Sequence, residues 1–342
     1  MSRGRRAGIS AAAAVAGGLT GGGGGGGGWA AFSSAGSNPG NAIAAAPDFR
    51  APSASATVVL KSQGGTPGYV KKSGAYTVLA QVTDTGNPAS GIAGVTVNAA
   101  TLTSGATAVA LDAGSFSAAG VSYNRGTASL TAGASLTEGA KSYSLTSTDV
   151  AANARTQTGY TVTVDNTAPT ASDVQTANNG STVGRPQAGD TITFTFSEPI
   201  EPGSILGGWT GASTDVVVRI TDGGCVLVLC SNDTLTVRNS ANAADLPLGS
   251  VDLKRSDYRG GSILGTLSPV DFGRSTDPAP RSTMVMSGNT VTVTLGTPSV
   301  TTDTAAGNGT MTWAPSATPY DRAANAASTA SVNESGGADR EF

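Results

Sequence analysis

The chain has 342 residues, of which 13% are charged, with a formal net charge of −3 and no histidine. So weak a charge gives no field to hold a phosphate backbone or an anionic membrane surface, and nucleic acid is excluded as an expected partner. The missing imidazole removes Ser-His-Asp relays, Cys-His pairs and histidine metal sites. Aromatic residues at 5%, beside 48 Gly and 16 Pro, favour short strands and turns over amphipathic helices, so an all-β chain is expected.

Arg3, Arg5 and Arg6, followed by a small-residue apolar stretch over 7–19, read as an export signal too short and glycine-broken to span a bilayer stably. Trp29-Ala30-Ala31-Phe32 places small residues where a signal peptidase reads them, so 1–31 is the expected signal peptide and the mature chain is expected to carry no membrane span. The glycine run 21–28 lacks the Lys-Ser/Thr ending of a phosphate loop. Arg5-Arg6 also admits a twin-arginine reading, for which the following Ala-Gly-Ile is a poor match. Residues 32–53 have no sustained period and are expected as a flexible leader able to pair as an added strand.

A first β-domain is expected over 54–168. Tyr76, Val78, Ala80 and Val82 alternate with Thr77, Leu79, Gln81 and Thr83, so one face packs inward while the other is mostly wet. Further strands are expected at 55–60, 95–98, 108–111, 127–130, 141–148 and 160–164, about the seven that a sandwich needs. The last runs into Asp165-Asn166-Thr167-Ala168-Pro169, the stop and rigid joint between two domains.

The second domain, 169–342, opens with Thr191-Ile192-Thr193-Phe194-Thr195-Phe196, whose Ile192, Phe194 and Phe196 face the core. Later strands are expected at 215–220, 234–238, 250–253, 284–286, 290–295 and 310–313, with a long loop insertion at about 258–281. An internal echo links the domains: Asp149-Val150-Ala151-Ala152-Asn153-Ala154 returns as Asp321-Arg322-Ala323-Ala324-Asn325-Ala326. Its expected role is a turn, because Asp and Asn side chains accept from nearby backbone N–H groups and tolerate left-handed geometry.

These motifs carry two resemblances. Residues 28–34, followed by Asn38-Pro39-Gly40-Asn41, resemble the signal and early mature region of camelysin and TasA-like exported proteins, processed by a SipW-type signal peptidase. The body departs from that family's single domain. The echoed segments resemble the Asp-x-Ala-Gly-Asn pattern before the last strand of bacterial Ig-like repeats, with Ala152 and Ala324 in place of the usual glycine. Phe194-Thr195-Phe196-Ser197-Glu198-Pro199-Ile200 resembles the Phe-Ser-Glu-Pro signature of bacterial Ig-like domains in surface-layer and cell-wall proteins. The resemblance implies two tandem Ig-like β-sandwich domains.

Three constellations could carry chemistry. Glu198 and Glu201, flanked by prolines, are the nearest to paired glycosidase acids; the alternative is a charged loop after a strand. Asp84, Asp149, Asp165 and Asn166 fall at strand ends and at the joint, where hard oxygen ligands for Ca²⁺ could converge, or where the same side chains cap turns. Cys225 and Cys230 would sit about 16 Å apart in an extended strand, beyond the ~7 Å reach of a disulfide. A bond therefore needs a tight loop, which Gly223-Gly224 and Ser231-Asn232-Asp233 make feasible and which would present four aliphatic residues; the alternative is a buried strand with reduced thiols.

No enzyme activity is expected. The leading expectation is a secreted or cell-surface Ig-like structural or adhesive protein, with an unidentified protein or a cell-wall glycan as ligand. The alternatives are a fibre or matrix subunit that self-assembles by strand addition of its leader, and an accessory module of extracellular glycan hydrolysis. The end, 336–342, shows neither an apolar tail nor a sorting motif, so release into the medium is expected.

Overall fold

A computed structural model describes residues 48–227, 229–260 and 264–342. The expected signal peptide, the glycine run and the leader up to residue 47 lie outside the described residues. Among the described residues the chain is all-β, its one helix being the four-residue turn Pro202–Ile205, and no helix is long and apolar enough to cross a membrane.

Up to Val164 the strands form two sheets. In the first, Ser53–Lys61 pairs antiparallel with Ala75–Thr83, which pairs with Val121–Gly126 and, through it, with Asp112–Ala118 at the edge. In the second, Tyr69–Val70 lies parallel to Ala154–Val164, followed by Gly139–Asp149, Ile92–Asn98 and Val109–Ala110. The alternation of the sequence becomes the contact between them: Tyr76, Val78, Ala80 and Val82 of one sheet pack on Val95, Val97, Tyr143, Leu145 and Val162 of the other. Leu79, expected on the wet face, is also buried, under a small outer cluster with Ala118 and Tyr123.

The strand expected at 127–130 is reduced to Leu130–Thr131, which pairs with Ala75–Thr83, and the sheet continues instead through the hairpin Asp112–Ala118 and Val121–Gly126, turned by Ala119 and Gly120 at φ 48° and 78°. Two successive left-handed residues make the tight turn whose twist matches flanking strands. This hairpin is mostly exposed, so its residues carry little of the inward-outward pattern that marks a strand.

From Ala171 most of the strands join into one continuous curled sheet. Its order is Ala171–Ala177, Thr191–Phe196, Thr290–Thr294, Ser282–Ser287, Thr214–Thr221, Thr234–Asn239, Asp245–Asp252, Thr312–Ala314 and Val332–Asn333. The two ends nearly meet: Ser335 N–H donates to Asp173 Oδ1 at 2.8 Å and Gln175 Nε2 donates to Ser335 O at 2.9 Å. The sheet encloses a single core in which Trp313 takes Phe194 and Phe196 edge-on, at centroid distances of 5.1 and 5.0 Å. Its indole N–H donates to Leu248 O at 2.7 Å, which removes the cost of an unpaired buried donor.

The insertion expected at 258–281 is more ordered than its composition suggests. Tyr258 is fully buried, and Val270–Phe272 pairs with Thr214–Thr221 with all three residues buried. Three residues are too few to show a period, and Asp271 between the two apolar ones is neutralised by Arg219 through paired bonds of 2.7 and 3.0 Å.

Both halves lie in one compact unit, and their strands do not pair with each other. Side chains tie them instead. Lys61 Nζ, 2% exposed, meets Glu201 Oε2 at 3.3 Å and donates to Thr66 O at 3.0 Å, while Thr66 N–H donates to the same carboxylate at 2.8 Å. Burial pushes the Lys61 ammonium down from its ordinary pKa, and the Glu201 charge opposes that shift. Gly65 gives the carboxylate room, since a Cβ there would stand 2.6 Å from its carbon. Arg322 completes the contact over the Tyr69 ring at 5.8 Å.

Removing one partner of this pair strands a buried charge. Glu201→Ala should therefore destabilise the protein by about 3–5 kcal/mol in urea unfolding, whereas Lys61→Met combined with Glu201→Leu should recover most of the loss. A single-variant cost below about 1 kcal/mol would show the pair to be solvated instead.

Candidate functional site

Two groups of carboxylates gather at corresponding strand ends of the two halves. In the first, oxygens of Asp48, Asp84 and Asp149 all lie within 4.8 Å of one another; in the second, those of Asp165, Glu198 and Asp321 do. The echoed sequence segments build both.

Asp149 closes strand Gly139–Asp149 and accepts Asn153 N–H at 2.7 Å on Oδ1 and Asn153 Nδ2 at 2.7 Å on Oδ2. The same amide donates to Asp48 O at 2.8 Å, drawing in the segment that enters the first strand. In the second half Asp321 accepts Asn325 N–H and Asn325 Nδ2, each at 2.8 Å, and that amide donates to Asp165 O at 3.0 Å. The four-residue spacing lets an Asn side chain reach its own turn and the incoming chain together. The turn requires a left-handed residue, supplied by Ala152 at φ 68° and Ala324 at φ 70°.

The remaining acids follow a strand, as Asp84 and Glu198 do, or lie ahead of the half's first strand, as Asp48 and Asp165 do. Asp84 follows strand Ala75–Thr83 and accepts Gly86 N–H at 3.2 Å and Gly91 N–H at 2.7 Å. Asp48 accepts Arg50 N–H at 2.9 Å on one oxygen and Ser90 N–H and Oγ, at 2.9 and 3.0 Å, on the other. Gly86 is required there, because a Cβ would meet the Asp48 carboxylate at 2.2 Å. Glu198 follows strand Thr191–Phe196, and its Oε1 is buried with no hydrogen-bond partner.

The sequence therefore marked Asp84, Asp149 and Asp165 at places where acids do converge, but in two separate groups. The side chain of Asn166, expected alongside them as a ligand, accepts Lys72 N–H at 2.7 Å on Oδ1 and donates to Leu136 O at 2.9 Å from Nδ2, which anchors the joint to the first half. Asp48 and Asp321 were not among the expected ligands. Asp48 fell in the expected leader, yet it is 7% exposed and belongs to the fold. Glu198 and Glu201, weighed as a catalytic pair, answer to different partners, one to the acid cluster and the other to Lys61. Glu201 borders a cleft of about 590 Å³ with Thr66, Trp209 and Tyr320, and its Oε2 is already held by Lys61 and Thr66.

None of the six clustered carboxylates forms an ion pair among the described residues. Burial, and then the charge of Asp165, pushes Glu198 up to about 7; burial foremost also raises Asp321, to which the Asp165 charge adds. Carboxylate-only donors suit a hard dication, and oxygens 2.3–2.6 Å from one ion can stand on the order of 5 Å apart. Such an ion would bridge the end of one strand, the echoed turn and the segment entering the half.

Cys225 and Cys230 are joined in a disulfide that closes the hairpin of Cys225–Val226 with Leu229–Cys230, supported on one side by Leu264–Gly265. Val226, Leu227 and Leu229 are 72%, 68% and 79% exposed at its tip. The fourth aliphatic residue of the expected loop, at 228, lies outside the described residues.

Two outcomes test this geometry. The folded-state pKa of Glu198 lies above its ordinary value of 4.5, so the native protein holds a proton that the unfolded chain releases. Stability from this group is fully present below about 4.5 and is lost as pH rises through about 7. In chelator the unfolding midpoint should therefore fall from about pH 5 to about pH 8, and a Glu198→Gln variant should flatten that fall. Ala152→Gly should raise stability by about 1 kcal/mol in urea unfolding, since glycine adopts the left-handed turn without steric cost. No protein-family model matches the chain, and no curated protein is similar to it.

Proposed function

We propose that the protein serves outside the cell as a structural or adhesive protein of bacterial Ig-like type, with Ca²⁺ bound at the strand ends to stiffen each half. The observation that carries this reading is the duplicated clamp: the same Asp-to-Asn turn, four residues apart, gathers three acids in each half, none of them in an ion pair among the described residues. The disulfide supports an oxidising location, as does the sequence of the export segment. The ligand, on this reading, is a protein or a cell-wall glycan met at the exposed loops.

A fibre subunit is the second reading, favoured by one feature. Asp112–Ala118 is the last strand of its sheet and is largely exposed, an edge onto which another copy's leader could add. Electron microscopy of the mature chain with and without residues 32–47 separates the two, since filaments that persist without the leader exclude this mode of assembly.

Calcium at about ten times its dissociation constant should stabilise the native state by about 1.4 kcal/mol per site, seen as a rise of the thermal midpoint over that in chelator. Asp149→Asn and Asp321→Asn should each remove part of that rise. An identical midpoint in calcium and chelator would overturn the cation reading of the clamps.

A further inference from the structure

A third acid group lies where the curled sheet closes, and nothing in the echoed motifs accounts for it. Oxygens of Glu334, Asp339 and Glu341 all stand within 4.8 Å of one another. Glu334 directly follows the last strand, Val332–Asn333, and accepts Met311 N–H at 2.8 Å on Oε1. Asp339 is exposed and is held by paired backbone bonds with Gly309, of 2.8 and 3.1 Å. Glu341 reaches across to the first strand of the sheet, where Thr176 Oγ1 donates to its Oε2 at 2.7 Å, and its own N–H donates to the Tyr258 hydroxyl at 2.8 Å.

The Glu341 side chain is the independent sign of a ligand. The residue is 1% exposed, one of its oxygens is committed to Thr176, and Oε1 is buried with no donor. A carboxylate oxygen left without a partner at that depth is costly, and its neighbours among the described residues include two further carboxylates. No lysine or arginine forms an ion pair with any of the three among the described residues. A dication would satisfy the open oxygen of Glu341, use the second oxygen of Glu334 and draw Asp339 in from the surface.

We infer that Glu334, Asp339 and Glu341 form a separate Ca²⁺ site that pins the segment after the last strand to the first strand of the curled sheet. All three donors are hard oxygens, and their spacing matches ligands of one ion at Ca–O distances of 2.3–2.6 Å, about 5 Å across the sphere. The exposed Asp339 gives the ion a route of entry and exit, and the buried pair gives it the negative charge. Its role is closure: the ion would couple Ala171–Ala177 to the chain beyond Val332–Asn333, the seam at which the sheet has no ladder of its own. The inference does not rest on the two clamp sites.

Calorimetric titration of the metal-stripped mature chain with CaCl₂ tests it, comparing wild type with Asp339→Asn and Glu341→Gln. Asp339 is on the surface, so its variant keeps the fold and decides the matter even where Glu341→Gln fails to fold. The expected result is the loss of one bound calcium per chain in Asp339→Asn, with the same loss in a folded Glu341→Gln. Asp321→Asn should retain that ion, which separates this site from the clamps. Binding of a single ion by wild type, lost in Asp339→Asn, would uphold this site while the clamps fail. Unchanged stoichiometry and affinity in Asp339→Asn, or a wild type that binds no calcium, would overturn the inference and leave a proton shared between Glu334 and Glu341 as what relieves their repulsion.

Discussion

One side-chain amide in each half determines how its loops are placed. Asn153 and Asn325 each have two Nδ2 hydrogens; one goes to the Asp four residues before it and the other to a carbonyl of the segment that enters the half. That arrangement fixes a turn, positions the start of the first strand and brings carboxylates together in one act. The amide also donates to the acid it organises, which offsets part of the rise that burial imposes on Asp321. Glu198 is still pushed up to about 7, which couples the stability of that loop to pH.

The first half and the core of the second were legible where burial is one-sided. Tyr76, Val78, Ala80 and Val82, and Ile192, Phe194 and Phe196, announce a strand because they alternate with neighbours that are polar except for Leu79, and all are buried. Asp112–Ala118 and Val121–Gly126 were illegible because a mostly exposed edge hairpin needs no apolar face. Val270–Phe272 was hidden for the opposite reason, being buried on both faces and too short for a period.

The acid clusters were half visible. The echo of Asp149 to Asn153 in Asp321 to Asn325 exposed the clamp, and Asp84 and Asp165 stood out as acids at strand ends. Asp48 could have been found by the same echo, since it precedes its first strand, Ser53–Lys61, much as Asp165 precedes Ala171–Ala177. Its surroundings of Ala, Pro and Ser concealed it. Asn166 adjoins Asp165, but its side chain is committed to Lys72 N–H and Leu136 O. The partnership of Glu201 with Lys61, and the gathering of Glu334, Asp339 and Glu341, join positions far apart in sequence or arise from irregular chain, where no period could signal them.

The stapled hairpin at Cys225 and Cys230 bears on the fate of the chain among proteases. Its tip is an exposed loop, the kind of place where proteolytic nicking concentrates. A cut anywhere between the two cysteines would leave both fragments covalently joined through the disulfide, with the strands on either side still in register. The protein could thus be nicked at this exposed tip and remain a single molecule, coming apart only when reductant and denaturant act together.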